Sequence, residues 1–219
     1  MRDDTQWDYS AYPEDEATAN RSFELLLELL VDHDQIVASV VGEFSSLYAM
    51  LCKRRAAIDQ GDPSSQVDAE DYACDYNRST LIIEGVLCGC LVILQTEIAR
   101  VATLVCGDLN CQTSDVRCLD SSTFRGTSRI ELIWSLSNYL KHRDEWPRSK
   151  TELDQRQRRQ YDTLFGVGEG CPLQMQPGFA ETLARAAFGC SEESGLGPIL
   201  NCVEEWKTQL AKRLRLTAQ

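Results

Sequence analysis

The stretch "DYACDYNRSTLIIEGVLCGCLVILQTEIARVATLVCG", from Asp71 to Gly107, decides the fold class of this chain. It begins polar and becomes apolar on all sides between Gly85 and Leu94. Polar residues bracket that run, which is therefore shorter than the roughly 20 apolar residues of an uninterrupted membrane span. The pattern predicts a central buried helix, with a buried strand over part of the run as the alternative. The β-branched residues that favour the strand are Ile82, Ile83, Val92 and Ile93.

A second long helical pattern precedes this stretch and runs from Asn20 to Asp59. Its apolar residues recur at steps of three and four, which is typical of one buried face of a helix. They include Phe23, Leu26, Leu27, Leu30, Val37, Val41, Phe44, Leu47 and Leu51. A loop rich in Gly, Pro and Ser joins the two patterns, so we expect two long antiparallel helices.

Shorter helical patterns follow a polar, cysteine-containing connection over residues 108–127, within which a short turn of helix is also expected. The third pattern begins at Ser128, a plausible N-cap with Glu131 as the other half of a capping box, and Pro147 should end it after Trp146. A mostly exposed fourth helix and two terminal helices are predicted over 149–167, 179–189 and 197–216. Gly189 should close the first terminal helix, and Gly197 with Pro198 should open the second. The sequence therefore predicts an all-α bundle of five or six helices.

The length and composition indicate one folded domain over residues 20–219, preceded by an acidic, disordered tail over residues 1–19. The chain has 219 residues, 43% of them hydrophobic and 26% charged, which is typical of globular proteins. The tail contains six acidic residues and one arginine, whereas residues 141–160 carry a net charge of +3. The total of −12 argues against a protein that coats nucleic acid with its whole surface. The N-terminus has no signal-peptide pattern, so we expect a cytoplasmic protein with no membrane association.

The ten cysteines are interpreted mainly as reduced core residues, because most lie in apolar, helical surroundings. Those assigned to the core are Cys52, Cys88, Cys90, Cys106, Cys190 and Cys202. Cys106, Cys111 and Cys118 cluster in sequence, but the chain contains no C-x-x-C pair and no histidine at ligand spacing. We predict no metal and no cofactor, and a small-molecule enzyme has little support because the usual nucleotide-binding and nucleophile motifs are absent from the sequence.

The third helical pattern ends in the run "SNYLKHRDEW", which places several polar residues three and four positions apart. Asn138, Lys141, His142 and Glu145 are predicted to share a face separate from the apolar stripe of Leu132, Ile133, Leu136 and Leu140. An imidazole, an amide and a cation on one face suit acid–base chemistry on a phosphodiester. The alternative is a solvated helix end, because the helix dipole favours basic groups there without any function. The second histidine, His33, is interpreted as a solvated helix position.

The run "SNYLKH" on a late helix of an all-α chain resembles the motif region of the HEPN superfamily of helical bundles. The resemblance implies a homodimer from a toxin or antiphage defence system, acting on RNA as a metal-independent endoribonuclease. His142 matches the motif histidine and would be the general acid or base, and Asn138 matches the polar residue that orients RNA. The motif arginine falls on Ser137, so the cation would come from Lys141, Arg143 or a facing protomer. The tyrosine that some members carry two residues beyond the histidine is Asp144 in this sequence.

The basic segment after this run could offer phosphate contacts for RNA, although its charge pattern favours a solvated helix face. The predicted RNA-binding residues are Arg148, Arg156, Arg158 and Arg159. Ser137 in place of arginine also leads to a second hypothesis, a degenerate, non-catalytic helical module that binds and regulates a partner protein. The acidic tail of residues 1–19, with its aromatic residues, is the predicted contact for that partner.

Overall fold

The computed structural model of this chain describes residues 34–60, 69–109, 112–119, 121–145, 152–165 and 178–217. The described part contains seven α-helices, one more than the largest number predicted, and the all-α class is confirmed. They are α1 (Asp34–Asp59), α2 (Ala69–Leu109), α3 (Thr113–Cys118), α4 (Arg129–Lys141), α5 (Gln155–Phe165), α6 (Phe179–Phe188) and α7 (Gly197–Thr217). Residues Gln35–Gln219 form one unit by their contacts, and the predicted tail of residues 1–19 lies outside the described residues.

Helix α2 is the central element, and α4, α3, α6 and α7 pack around it. Its core side chains follow the spacing of one helix face, so the strand alternative for this stretch is wrong. The buried residues of that face are Ile83, Leu87, Leu91, Leu94, Ile98, Val101 and Val105. The segments Gln35–Asp59 and Cys74–Cys106 are long and apolar enough to cross a membrane, by length and composition only. Helices buried in the core of a soluble protein share this length and composition, so two such segments are weak evidence for a membrane span.

Helix α1 lies antiparallel to α2, as predicted. The Phe44 ring lies against Gly89, where an added Cβ would come within 2.6 Å of the ring, and Arg55 stacks over the Tyr76 ring at 5.8 Å. The residues that α1 buries differ in part from the predicted stripe. Val41, Tyr48 and Cys52 are buried, while Leu47 is 41% exposed. The segment 20–33 of the predicted helix lies outside the described residues.

The connection between α2 and α4 contains the short helix α3 and a hairpin of strands β1 (Thr123–Phe124) and β2 (Thr127–Ser128). The turn residues Arg125 and Gly126 have φ of 50° and 84°, the two positive angles of a tight hairpin turn. Strands of two residues are too short to produce an alternating pattern, which is why the sequence did not indicate them.

Helix α4 begins as predicted but ends five residues early. Ser128 Oγ accepts a hydrogen bond from Glu131 N at 3.3 Å, which confirms the N-cap. The Glu131 carboxylate, predicted to complete a capping box, accepts from Arg117 Nε at 2.7 Å and so joins α4 to α3. The helix ends at Lys141 because His142 adopts φ −118° and ψ 19°, and a 3₁₀ turn follows over Arg143–Glu145. The prediction that helix continues to Trp146 is therefore wrong.

The last two helices confirm the glycines predicted at their ends. Gly189 closes α6 with a φ of 81°, and α7 begins at Gly197. Five of the ten side chains that the structure describes in α5 are exposed, four are half-buried and Leu164 is buried, so this helix is less exposed than predicted. Just before α7, Leu196 N donates to Ser45 Oγ at 2.8 Å, and a Cβ at Gly195 would collide with Ser45. Glycine at that position therefore lets the loop lie directly on α1.

Seven of the described cysteines are free thiols: Cys52, Cys74, Cys88, Cys90, Cys118, Cys190 and Cys202. Cys52, Cys90, Cys190 and Cys202 are buried, which confirms the core assignment for these four, while Cys88 and Cys106 are half-buried. Burial raises the pKa of both the Cys90 and the Cys190 thiols from 9.0 to about 12. These thiols are therefore protonated at neutral pH and act as small apolar side chains.

Candidate functional site

The C-terminal half of α4 carries the predicted catalytic residues, and its polar side chains meet Gln95 of α2. Gln95 is 6% exposed, and its Oε1 accepts hydrogen bonds from Ser137 Oγ at 3.0 Å and Lys141 Nζ at 2.5 Å. Its Nε2 donates to Asn138 Oδ1 at 3.0 Å. One buried amide thus contacts three residues of the motif run.

Asn138 does not lie on a solvent-facing polar face, as the spacing predicted, because it is only 3% exposed. It belongs to a nearly continuous buried surface of α4 that includes Ser137 and Tyr139, since α4 packs against α2, α5, α6 and α7. Its Nδ2 is buried and has no hydrogen-bond partner among the described residues. The amide therefore contributes to helix packing, and its carbonyl is already used by Gln95.

Arg143 is held by a second polar residue of α2. Its Nη1 donates to Glu84 Oε2 at 3.0 Å, and the Glu84 side chain is 5% exposed. Glu84 Oε1 also accepts from Gly178 N at 2.9 Å and Ala180 N at 3.2 Å, the free amides at the start of α6. Glu84 therefore caps α6 and pairs with Arg143 at the same time, which assigns Arg143 to a contact among α2, α6 and the end of α4.

His142 is the C-cap residue of α4, and its side chain remains 48% exposed. Its Nδ1 lies 3.2 Å from Glu145 Oε2, an exposed carboxylate one turn later. The imidazole therefore has one nitrogen oriented by a carboxylate, a geometry that can support proton transfer. Because His142 has left the helical conformation and Asn138 is buried, the two do not form the joint surface that the spacing predicted.

The structure thus brings the four predicted catalytic residues to one end of α4 but gives three of them partners on α2. Lys141 and Asn138 share Gln95, Arg143 is bound to Glu84, and His142 pairs with Glu145. The cations expected to replace the motif arginine are therefore already hydrogen-bonded within the chain. What this end of α4 offers to solvent for proton transfer is the imidazole of His142.

The arginines predicted to contact RNA lie on α5, where Arg156, Arg158 and Arg159 are all exposed. Arg148, the fourth predicted contact, lies outside the described residues. Asp154 Oδ1 accepts from Gln157 N at 2.7 Å, and Gln157 Oε1 accepts from Asp154 N at 3.2 Å, so α5 begins with a reciprocal cap. Arg156 and Arg159, three positions apart, lie on one side of α5, and Arg158 lies on another side.

Sequence reasoning missed that Glu84 and Gln95 of α2 bind the motif run and that Cys88 lies between them. Burial raises the pKa of the Cys88 thiol, while the nearby Lys141 and Arg143 charges act in the opposite direction. The three residues are spaced by four and seven positions and therefore lie on one side of the helix. Polar residues at helical spacing within the otherwise apolar α2 could have indicated that polar residues of another helix pack against this side.

A second polar cluster joins α1 to α6 around the buried carboxylate of Glu181. Its oxygens accept from Arg55 Nη1 and Nη2 at 2.5 Å each and from Arg185 Nε at 2.9 Å. Cys52 Sγ lies 3.9 Å from Glu181 Oε1, and the nearby Tyr48 hydroxyl is buried without a hydrogen-bond partner among the described residues. Burial raises the pKa of both Tyr48 and Cys52, so neither group ionises near neutral pH. This cluster supplies structural contacts and no activated nucleophile.

One pocket of about 270 Å³ lies between the hairpin and the start of α7. That volume is just below the range of about 300 to 1,000 Å³ that is usual for ligand sites. Arg129 and Cys202 line it, but Arg129 Nε donates to Ala187 O at 2.8 Å and burial raises the pKa of the Cys202 thiol. Within the described ranges, no group of three or more His, Cys, Asp or Glu side chains could hold a metal ion.

The most exposed apolar surface of the described chain is a stripe on α1, which we call the α1 seam. Its members follow one another at alternating steps of four and three and are all exposed. They are Ile36, Val40, Glu43, Leu47, Met50, Arg54 and Ala57. Ile36, Leu47 and Met50 are 65%, 41% and 56% exposed. The buried residues of α1, including Val41 and Tyr48, lie on a different side, so the seam faces away from the core.

No family model matches the chain, and neither a curated protein nor a solved structure is significantly similar to it. The resemblance to the HEPN superfamily therefore depends on the run "SNYLKH" alone.

Proposed function

We propose that this chain is a non-catalytic helical module that binds a protein partner through the α1 seam. The observation that carries the proposal is the continuous heptad spacing of seven exposed residues over Ile36–Ala57. A helix of a soluble protein that exposes apolar groups at regular a and d positions is typical of one that pairs with another helix. About six turns of α1, a length of roughly 33 Å, are available for such a contact.

The hydrogen bonds at the end of α4 also support a non-catalytic role for the chain. Ser137, where a cation would be needed for catalysis, is fully buried and hydrogen-bonded to Gln95. Lys141 and Arg143 are engaged with Gln95 and Glu84. The polar residues of the motif run therefore stabilise the contact between α4 and α2, which is a structural use of side chains that catalysis would require to face a substrate.

The proposal is tested by site-specific photocrosslinking in cells that express the full chain. A benzophenone amino acid at position 50 places the probe in the middle of the seam, and the same probe at exposed Gln209 of α7 is the matched control. We expect one discrete protein adduct from position 50 and none from position 209. An absence of adducts from position 50, or equal adducts from both positions, would overturn the proposed function.

The second candidate function is metal-independent RNA cleavage, and the geometry that favours it is the half-exposed His142 oriented by Glu145. In this reading the imidazole moves a proton to or from the ribose, and the exposed arginines of α5 contact phosphates. The proposed binding module has no catalytic activity, whereas this second candidate cleaves RNA, so one RNA cleavage assay distinguishes them.

The assay measures cleavage of a mixed RNA pool in EDTA, with 2′,3′-cyclic phosphate ends scored. For a non-catalytic module we expect no cleavage above background by the wild type or by His142→Ala. A nuclease would cut, and His142→Ala would reduce its rate by about 100-fold or more, because general acid–base groups contribute that much. Thr208→Ala, an exposed change on α7, controls for contaminating nucleases and for handling.

A further inference from the structure

The α1 seam carries one charge of each sign at positions that make it complementary to itself. Glu43 and Arg54 occupy two of its seven positions, and both are exposed. Leu47 and Met50 lie between them and are the apolar centre of the seam. The order is acidic, apolar, apolar, basic, with equal steps on either side of the centre.

This order distinguishes the ways in which two copies of α1 can pair. A parallel pair would place Glu43 opposite Glu43 and Arg54 opposite Arg54, which is repulsive at both layers. An antiparallel pair related by a two-fold axis between Leu47 and Met50 places each Leu47 opposite Met50 of the second copy. The same register places each Glu43 opposite Arg54 and each Val40 opposite Ala57. One antiparallel register produces all these layers at once. In an antiparallel pair, residues lie opposite each other when their numbers add up to the same value, and these pairs do.

We propose that the occupant of the α1 seam is the α1 seam of a second copy of this chain, packed antiparallel in a two-fold symmetric dimer. The inference rests on the proposed function, since it names the partner that the seam binds. Two symmetric Glu43–Arg54 pairs flank the apolar centre and set the register, while Leu47 and Met50 supply most of the apolar contact. A two-fold axis uses one self-complementary patch twice, so a single seam is sufficient.

The neighbouring surface of α2 adds apolar area at the same level. The contacts from Phe44 to Gly89 and from Arg55 to Tyr76 place residues near 82 of α2 beside residues near 50 of α1. Leu81 and Ile82 are 47% and 46% exposed there. Exposed apolar groups of two helices are therefore found at the level of the proposed two-fold axis.

The test is sedimentation equilibrium of the full chain between about 1 and 200 μM, with charge-exchanged variants. We expect a dimer whose dissociation constant rises about 10-fold or more in Glu43→Arg and equally in Arg54→Glu. The double variant Glu43→Arg/Arg54→Glu restores both pairs in the antiparallel register, and its dissociation constant should return to within about threefold of the wild type. Leu47→Asp/Met50→Asp should raise it about 100-fold or more, and Gln209→Arg on α7 should leave it unchanged.

A wild type that is monomeric over this range overturns the inference, as does a dimer that is insensitive to Leu47→Asp/Met50→Asp. A double charge variant that is weaker than both single variants overturns the antiparallel register. The photocrosslink from position 50 separates the two proposals. An adduct to a different protein overturns the second copy and keeps the proposed function, and no adduct overturns both. A monomer that floats with phosphatidylcholine vesicles only when the seam is intact would assign the seam to a membrane and also overturn both.

Discussion

Glu181→Ala is expected to lower the free energy of unfolding by about 4 kcal/mol, because it leaves a guanidinium of the interior without its counter-charge. Arg55 donates both Nη groups to the Glu181 carboxylate, and the two side chains are only 12% and 4% exposed. Arg185, the other partner of Glu181, is 39% exposed and can be hydrated. Most of the expected loss in the free energy of unfolding therefore comes from Arg55. Urea denaturation of the full chain under reducing conditions measures the change.

Three further variants make this prediction specific. Thr182→Ala, an exposed change on the same helix, should alter the free energy of unfolding by no more than about 0.5 kcal/mol. Glu181→Gln keeps the shape and should still be destabilising, which covers the case in which the alanine variant does not fold. Arg55→Leu/Glu181→Leu removes both charges and should recover most of the loss. A loss below about 1 kcal/mol in Glu181→Ala would mean that water screens the pair, contrary to the burial described here.

The second large effect is expected for Gln95→Met, which should lower the free energy of unfolding by about 3 kcal/mol. The change keeps the length of the side chain but removes the partners of Ser137 Oγ and Asn138 Oδ1, both buried. Each buried polar group without a partner costs about 1 to 3 kcal/mol, and the Asn138 amide would then lack partners at both of its ends. Lys141 is exposed overall and can turn to water, so it adds little.

The matched control is His142→Ala, which should change the same free energy by no more than about 0.5 kcal/mol because the imidazole is half-exposed. Gln95→Leu/Asn138→Leu removes the amides on both sides and should recover part of the loss. If Gln95→Met were neutral while His142→Ala were strongly destabilising, the polar groups of the motif run would not be structural. In that case the assignment of Asn138 to helix packing would be wrong.

Much of the fold could be predicted from local patterns. The apolar spacing of α2, the N-cap at Ser128, the left-handed Gly189 and the start of α7 at Gly197 all depend on interactions within a few residues. The α3 helix corresponds to the short turn of helix expected within 108–127, but the hairpin at Arg125 and Gly126 was not predicted, because strands of two residues are too short to create a period. The early end of α4 was also missed, since Pro147 marks only the last position at which helix can continue.

The burial and contacts of the candidate site residues could be predicted less well, because their hydrogen-bond partners are distant in the sequence. Asn138 is bound by a residue 43 positions away, and Arg143 by one 59 positions away. A polar residue at helical spacing does not reveal whether it will face solvent or a polar line on another helix. Leu47 illustrates the same limit. Its spacing predicts a buried position on α1, but its side chain is exposed and belongs to the α1 seam.

By itself the sequence determined that this chain is helical and where several of its helices begin or end. Those properties follow from backbone hydrogen bonding and side-chain periodicity within a few turns. Only the tertiary structure decided which side of each helix is buried, because burial depends on the surfaces that surround it. Packing around α2 directed Asn138 inward to Gln95 and left the α1 seam exposed, which is why the proposed partner surface lies on α1 and not on α4.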